Sequence, residues 1–127
     1  MTPEAARYLE KAGEDLSEAQ QIAAIHLAKV AARSAYYAAF HAAEAYIVAK
    51  TGRVARTHSG VRAEFSRLAK DDPLISKSLI TFLPQAYRYK EIGDYSLDPD
   101  AVITMGHAEA AIISAAAFIN GVRNALV

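Results

Sequence analysis

Apolar residues recur along the chain at steps of three and four, the spacing of one helical face, and nowhere alternate as a strand requires. Tyr8, Leu9, Ala12, Leu16, Ala19 and Ala23 form the first such stripe. Thr2-Pro3-Glu4 ahead of it combines a capping hydroxyl, a proline at the first helical position and an acid suited to the helix dipole. The pattern predicts a helix from there to about Ala23, and length alone places a turn near Ala24–Ala28. The second helix, about Leu27 to Lys50, is apolar on most of its circumference, carrying Val30, Tyr36, Tyr37, Phe40, Tyr46, Ile47 and Val48 among alanines. Such a helix belongs in the centre of a bundle, and Gly52 supplies its stop.

Arg53–Ser59 reads as a loop. Ser59 is the expected cap of a short third helix reaching about Lys70, with Val61, Phe65 and Leu68 inward. Asp72-Pro73 is expected to start a fourth helix that kinks near Thr81–Leu83 because of Pro84 and ends at Gly93. Asp98-Pro99-Asp100 is the expected start of the last helix. Its stripe runs Val102, Met105, Ala108, Ile112, Ala115, Ile119, Val122 and Leu126, leaving Ile113 and Phe118 outside. That surplus predicts either burial on two sides or contact with a second subunit. The fold expected is all-α: one domain over residues 1–127, an up-and-down bundle of about five helices.

Composition sharpens this picture. The 28 alanines allow helices to approach closely, and a hydrophobic fraction of 53% with 22% charged residues excludes disorder. Fourteen basic and fourteen acidic residues cancel, so no global electrostatic grip on nucleic acid is indicated. The charge is uneven, however. Lys50, Arg53, Arg56, Arg62, Arg67 and Lys70 face one acid, Glu64, in the same stretch. That run is either a solvated face or a phosphate-facing patch. Without cysteine there is no disulfide or thiolate metal site. His26, His41, His58 and His107 have no metal-ligand spacing, and no motif implies a cofactor. The longest nearly apolar run, Ala110 to Ile119, is about half of what a bilayer requires. With no leader pattern at Met1-Thr2-Pro3-Glu4, the cytoplasm is the expected compartment.

Three polar clusters could carry chemistry. Arg33, Tyr37 and His41 lie four residues apart and therefore share one face of the apolar second helix. Buried there, they must find partners; exposed, they are free to bind. Arg53, Arg56, His58 and Ser59 place positive charge before a helix N-terminus, a physical basis for holding phosphate, unless Thr57 or Ser59 is only a cap. Arg88, Asp94 and Tyr95 close the fourth segment, and Asp94 could pair with Arg33 or Arg88 either to fix register or to build a site.

The run Arg33-Ser-Ala-Tyr36-Tyr37-Ala-Ala-Phe40-His41-Ala-Ala resembles the R-x-A-Y-Y-A-x-F-H-A-A helix of the HEPN family. Thr57-His58-Ser59-Gly60-Val61 resembles that family's T-H-S-G segment, and Arg88 to Asp94-Tyr95 its R…D-Y segment. The resemblance implies a helical bundle that is usually a homodimer and is often paired with a minimal nucleotidyltransferase in a toxin–antitoxin-type system. It makes Arg33, Tyr37, His41, Arg53, Arg56, His58, Arg88, Asp94 and Tyr95 the expected RNA- or nucleotide-binding residues. Its nuclease members carry an Arg-x(4–6)-His motif, which makes His41, His58 and Arg88 the candidates for catalysis. The window after Arg88 has no histidine, seven residues separate Arg33 from His41, and Arg53 to His58 fits the spacing in a different segment. Three functions follow for comparison: an RNA- or nucleotide-binding module, a metal-independent endoribonuclease, and a non-catalytic structural interaction module.

Overall fold

Five helices account for the fold, and no strand is present. The computed structural model describes residues 1–127. Helix α1 spans Pro3–Ala24, α2 Ala28–Thr51, α3 His58–Ala69, α4 Lys77–Tyr95 and α5 Met105–Ala125. Helix α2 packs against each of the other four, the central position that its nearly all-round apolar surface predicts. Eight of its twelve buried residues are alanine, so neighbouring helices can approach its backbone closely. One core cluster joins 28 buried residues from all five helices and, through Ile75, from the α3–α4 loop. At its centre Phe65 of α3 lies between Tyr46 of α2, at 5.3 Å, and Phe118 of α5, at 5.0 Å, centroid to centroid.

The helix starts follow capping chemistry. Thr2 caps α1 by accepting from Ala5 N–H at 3.1 Å, with Pro3 at the first helical position. The α1–α2 turn is Ile25–Leu27, where His26 adopts a positive φ of 61°. Gly52 ends α2 at φ 72°, in the left-handed region that residues bearing a Cβ avoid.

Four boundaries differ from the pattern-based expectation. Helix α3 is capped by Thr57 rather than Ser59: the Thr57 hydroxyl accepts from Gly60 N–H at 2.9 Å, so His58 becomes the first helical residue. Asp72-Pro73 does not start α4. Asp72 is engaged elsewhere, accepting from Leu74 N–H at 2.9 Å and from the Tyr46 hydroxyl at 2.5 Å, and Ser76 precedes the helix. Asp98-Pro99-Asp100 likewise closes a turn, with Asp98 accepting from Asp100 N–H at 2.9 Å. Helix α5 begins seven residues after Asp98, at Met105, where Thr104 and His107 form a reciprocal capping box. The expectation mistook two Asp-Pro turns for helix starts because both use the same residue types. Helix α4 passes Pro84 without interruption and ends at Tyr95, beyond Gly93. Val102 consequently falls in a loop and is exposed, whereas Phe118, outside the expected stripe, is fully buried.

Candidate functional site

No charged residue lies in the deep core; the polar side chains gather instead in a half-buried layer where α2, α3 and α4 meet. Helix periodicity builds it. Helix α2 contributes Arg33, Tyr36, Tyr37 and Phe40; the Thr57 cap sets His58 at the head of α3, one turn before Arg62; α4 adds Tyr87, Lys90, Glu91 and Asp94 at three- and four-residue steps.

His58 is the inner centre. Its Nδ1 is 2.7 Å from the Tyr36 hydroxyl, and its ring stacks on Phe40 at 4.6 Å and 25°. The Arg62 guanidinium lies 3.7 Å above the Tyr87 ring. Burial pushes the Tyr36 phenol well above the ordinary tyrosine range, although Arg62 beside it acts in the opposite sense. Tyr36 therefore keeps its proton. With the donor-only Arg62 on one side, we assign that proton to the bond with His58 Nδ1, which leaves the imidazole proton on Nε2. Burial lowers the His58 pKa, and the charges of Lys90 and Arg62 lower it further, against Glu91 and Glu44.

The outer edge is an ion-paired platform. Arg33 Nε donates to Asp94 Oδ1 at 2.8 Å, and its Nη2 approaches the same oxygen; Lys90 Nζ reaches Asp94 Oδ2 at 3.3 Å. Burial opposes ionisation of Asp94, but the bonds from Arg33 and Lys90 prevail and hold its carboxyl below the usual range. Tyr95 stands 70% exposed, with Lys90 Nζ 5.5 Å from its ring centroid. Tyr87 donates to Glu91 and completes the α4 network.

His41 belongs to a neighbouring cluster on the α1 side. Its Nδ1 is 2.7 Å from Glu44 Oε1, and its Nε2 is 3.4 Å from Asp15 Oδ2. That second separation permits attraction, but Oδ2 gains no hydrogen bond. Burial raises the Asp15 pKa, with His41 the main opposing influence. The Tyr37 ring stands between the two imidazoles, 6.2 Å from His41 and 5.8 Å from His58.

Of the residues expected from sequence, Arg33, Tyr37, His58, Asp94 and Tyr95 assemble around this layer, and His41 adjoins it. Arg53, Arg56 and Arg88 do not join it: all three are exposed, and Arg53 lines a separate groove of about 350 Å³ beside Val54 and Glu64. Arg62 and Lys90 enter the layer instead, Arg62 over Tyr87 and Lys90 against Asp94. Sequence reasoning counted Arg62 only within a basic run and passed over Lys90, although each stands four residues from a chosen residue, His58 and Asp94. No group of three His, Cys, Asp or Glu side chains is placed to hold a metal ion.

A model of the HEPN domain matches residues 5–125. No curated protein sequence matches the chain. Among solved structures, the crystal structure of TT1696 from Thermus thermophilus superimposes with a TM-score of 0.83 at 24% identity, over 98% of this chain and 100% of that one. That likeness concerns the fold, while the family model spans every residue that builds the polar layer: the chain belongs to the HEPN domain family.

Proposed function

We propose that this protein is a single HEPN-domain module that binds RNA or a nucleotide at the α2–α4 edge and does not itself cleave RNA. Family membership supports an RNA- or nucleotide-related role in general terms. The observation that carries the specific reading is the exposed Tyr95 ring, with Lys90 at its face and Arg33 beside it, both cations oriented by Asp94. An unbonded base stacks on such a ring while a cation takes the adjoining phosphate, and aromatic stacking contributes about 1–3 kcal/mol per base.

The ribonuclease reading has one feature in its favour, a neutral histidine near two cations. Against it, Nδ1 of His58 is engaged by Tyr36 and Nε2 carries the proton, so neither nitrogen is free as a base. Partnership with a minimal nucleotidyltransferase, homodimerisation and a cytoplasmic toxin–antitoxin role belong to the same proposal and come from the family resemblance.

Fluorescence anisotropy with a short labelled single-stranded RNA tests the binding reading. Arg33→Ala and Lys90→Ala should each weaken binding by about tenfold, the effect of losing one charge-assisted contact. Arg53→Ala and Arg56→Ala should change it by less than about twofold at equal salt. Equal losses from all four variants would point to diffuse surface charge and reject the site.

A further inference from the structure

A groove of about 400 Å³ runs between α1 and α2 on the opposite side of Tyr37 from His58. Helix α1 supplies Asp15, Glu18 and Ile22 at steps of three and four, and α2 supplies Val30, Arg33 and Tyr37. Its volume is in the range that holds a small-molecule ligand. The groove shares Arg33 with the ion-paired platform, so a ligand bound there can extend into it.

The lining is chemically asymmetric. Asp15 turns Oδ2 inward against His41, where it is buried. Asp15 nonetheless lines the groove with 20% of its side-chain surface exposed, so its carboxylate is available there as an acceptor. Glu18, one turn on, is exposed and adds a second carboxylate. Carboxylates accept hydrogen bonds and repel phosphate. Arg33 carries the positive charge of the lining that Asp94 orients, and Ile22 and Val30 add apolar surface. The groove therefore suits a ligand with a flat, partly apolar body, N–H donors on one edge and an anionic group elsewhere.

We infer that the α1–α2 groove is a base-reading subsite that takes a nucleotide whose base presents adjacent N–H donors, guanine foremost, with Asp15 and Glu18 as the acceptors and Arg33 at the phosphate. This rests on the nucleotide-binding reading above and adds the identity of the base. Guanine offers N1–H and N2–H side by side. Adenine and cytosine offer one amino group beside a ring acceptor. Uracil sets a single N–H between two carbonyls, whose lone pairs would face the carboxylates. Selection of this kind works by leaving a buried or crowded acceptor unpaired when the wrong base enters.

Calorimetric titration with the four nucleoside 5′-monophosphates tests it. The wild-type protein should bind guanosine monophosphate about tenfold more tightly than uridine monophosphate, the scale of one charge-assisted hydrogen bond. The double variant Asp15→Asn/Glu18→Gln should reduce that ratio to less than about threefold and leave the uridine nucleotide's affinity unchanged or improved. Glu18→Gln alone, at an exposed position that cannot disturb the fold, should shift the ratio in the same direction. Equal binding of all four nucleotides, or a guanine preference that survives both variants, overturns the base-reading subsite and leaves the nucleotide-binding reading standing. If no mononucleotide binds the wild-type protein, the base-reading subsite falls, and anisotropy with single-stranded RNA decides the binding reading on its own.

Discussion

Tyr95 and His58 illustrate two opposite uses of an aromatic polar residue. Tyr95 packs little of its surface, being 70% exposed. Tyr95→Ala should therefore leave helix content and melting temperature nearly unchanged and weaken single-stranded RNA binding by about 1–3 kcal/mol, the value of one base stack. Circular dichroism and anisotropy on the same sample separate the two effects. His58 is held by Tyr36 and Phe40, and burial with the nearby charges of Lys90 and Arg62 sets its pKa below the ordinary 6.5. A depressed folded-state value means that the unfolded chain binds the proton first. The stability His58 contributes is thus present above about pH 6.5 and is lost as pH falls through the lower, folded value. Thermal melts on going from about pH 7.5 to about pH 5.5 should show a larger drop for the wild type than for His58→Gln. Asp15, whose pKa is raised, acts in the opposite sense at lower pH, so the difference between the two proteins is the informative quantity. Equal slopes would mean that His58 is not the half-buried neutral imidazole described.

Helix identity was legible in the sequence and helix boundaries only in part. The stripe of α1 and the nearly all-round apolar character of α2 were readable because apolar spacing reports directly on burial; the turn between them, Ile25–Leu27, has no glycine or proline to mark it and was placed on length alone. Asp72-Pro73 and Asp98-Pro99 were misread because an aspartate before a proline serves a turn as well as a helix cap, and only tertiary partners decide between them. For Asp72 the partner is Tyr46, 26 residues away. Local pattern also could not separate Arg62 from its solvated neighbours, since its role depends on Tyr87 of α4. The Arg33–Asp94 pair spans 61 residues and was anticipated only as one of two options. The α5 boundary can be tested by stability. Thr104→Ala removes the capping box and should cost about 1 kcal/mol in urea denaturation. Asp98→Ala, outside the helix, should cost less than about 0.5 kcal/mol. The reverse order would place the helix start at Asp98.

For the molecule as a whole, packing four helices around an alanine-rich α2 accounts for the core but leaves Ile113 on α5 with 71% of its surface exposed. No helix is long and apolar enough to cross a membrane. If the homodimer proposed from the family resemblance uses this face of α5, Ile113→Lys should convert it to monomer in sedimentation at about 10–50 μM, the working range for weak isologous contacts. A dimer unaffected by the substitution would assign the contact to another surface. The central claim, binding without cleavage, is tested most directly by incubating purified wild-type protein with single-stranded RNA in EDTA and reading retention and fragment length on the same sample. The account predicts a retained RNA of full length. RNA cut by the wild type and left intact by His58→Ala, or RNA that is not retained at all, would contradict it.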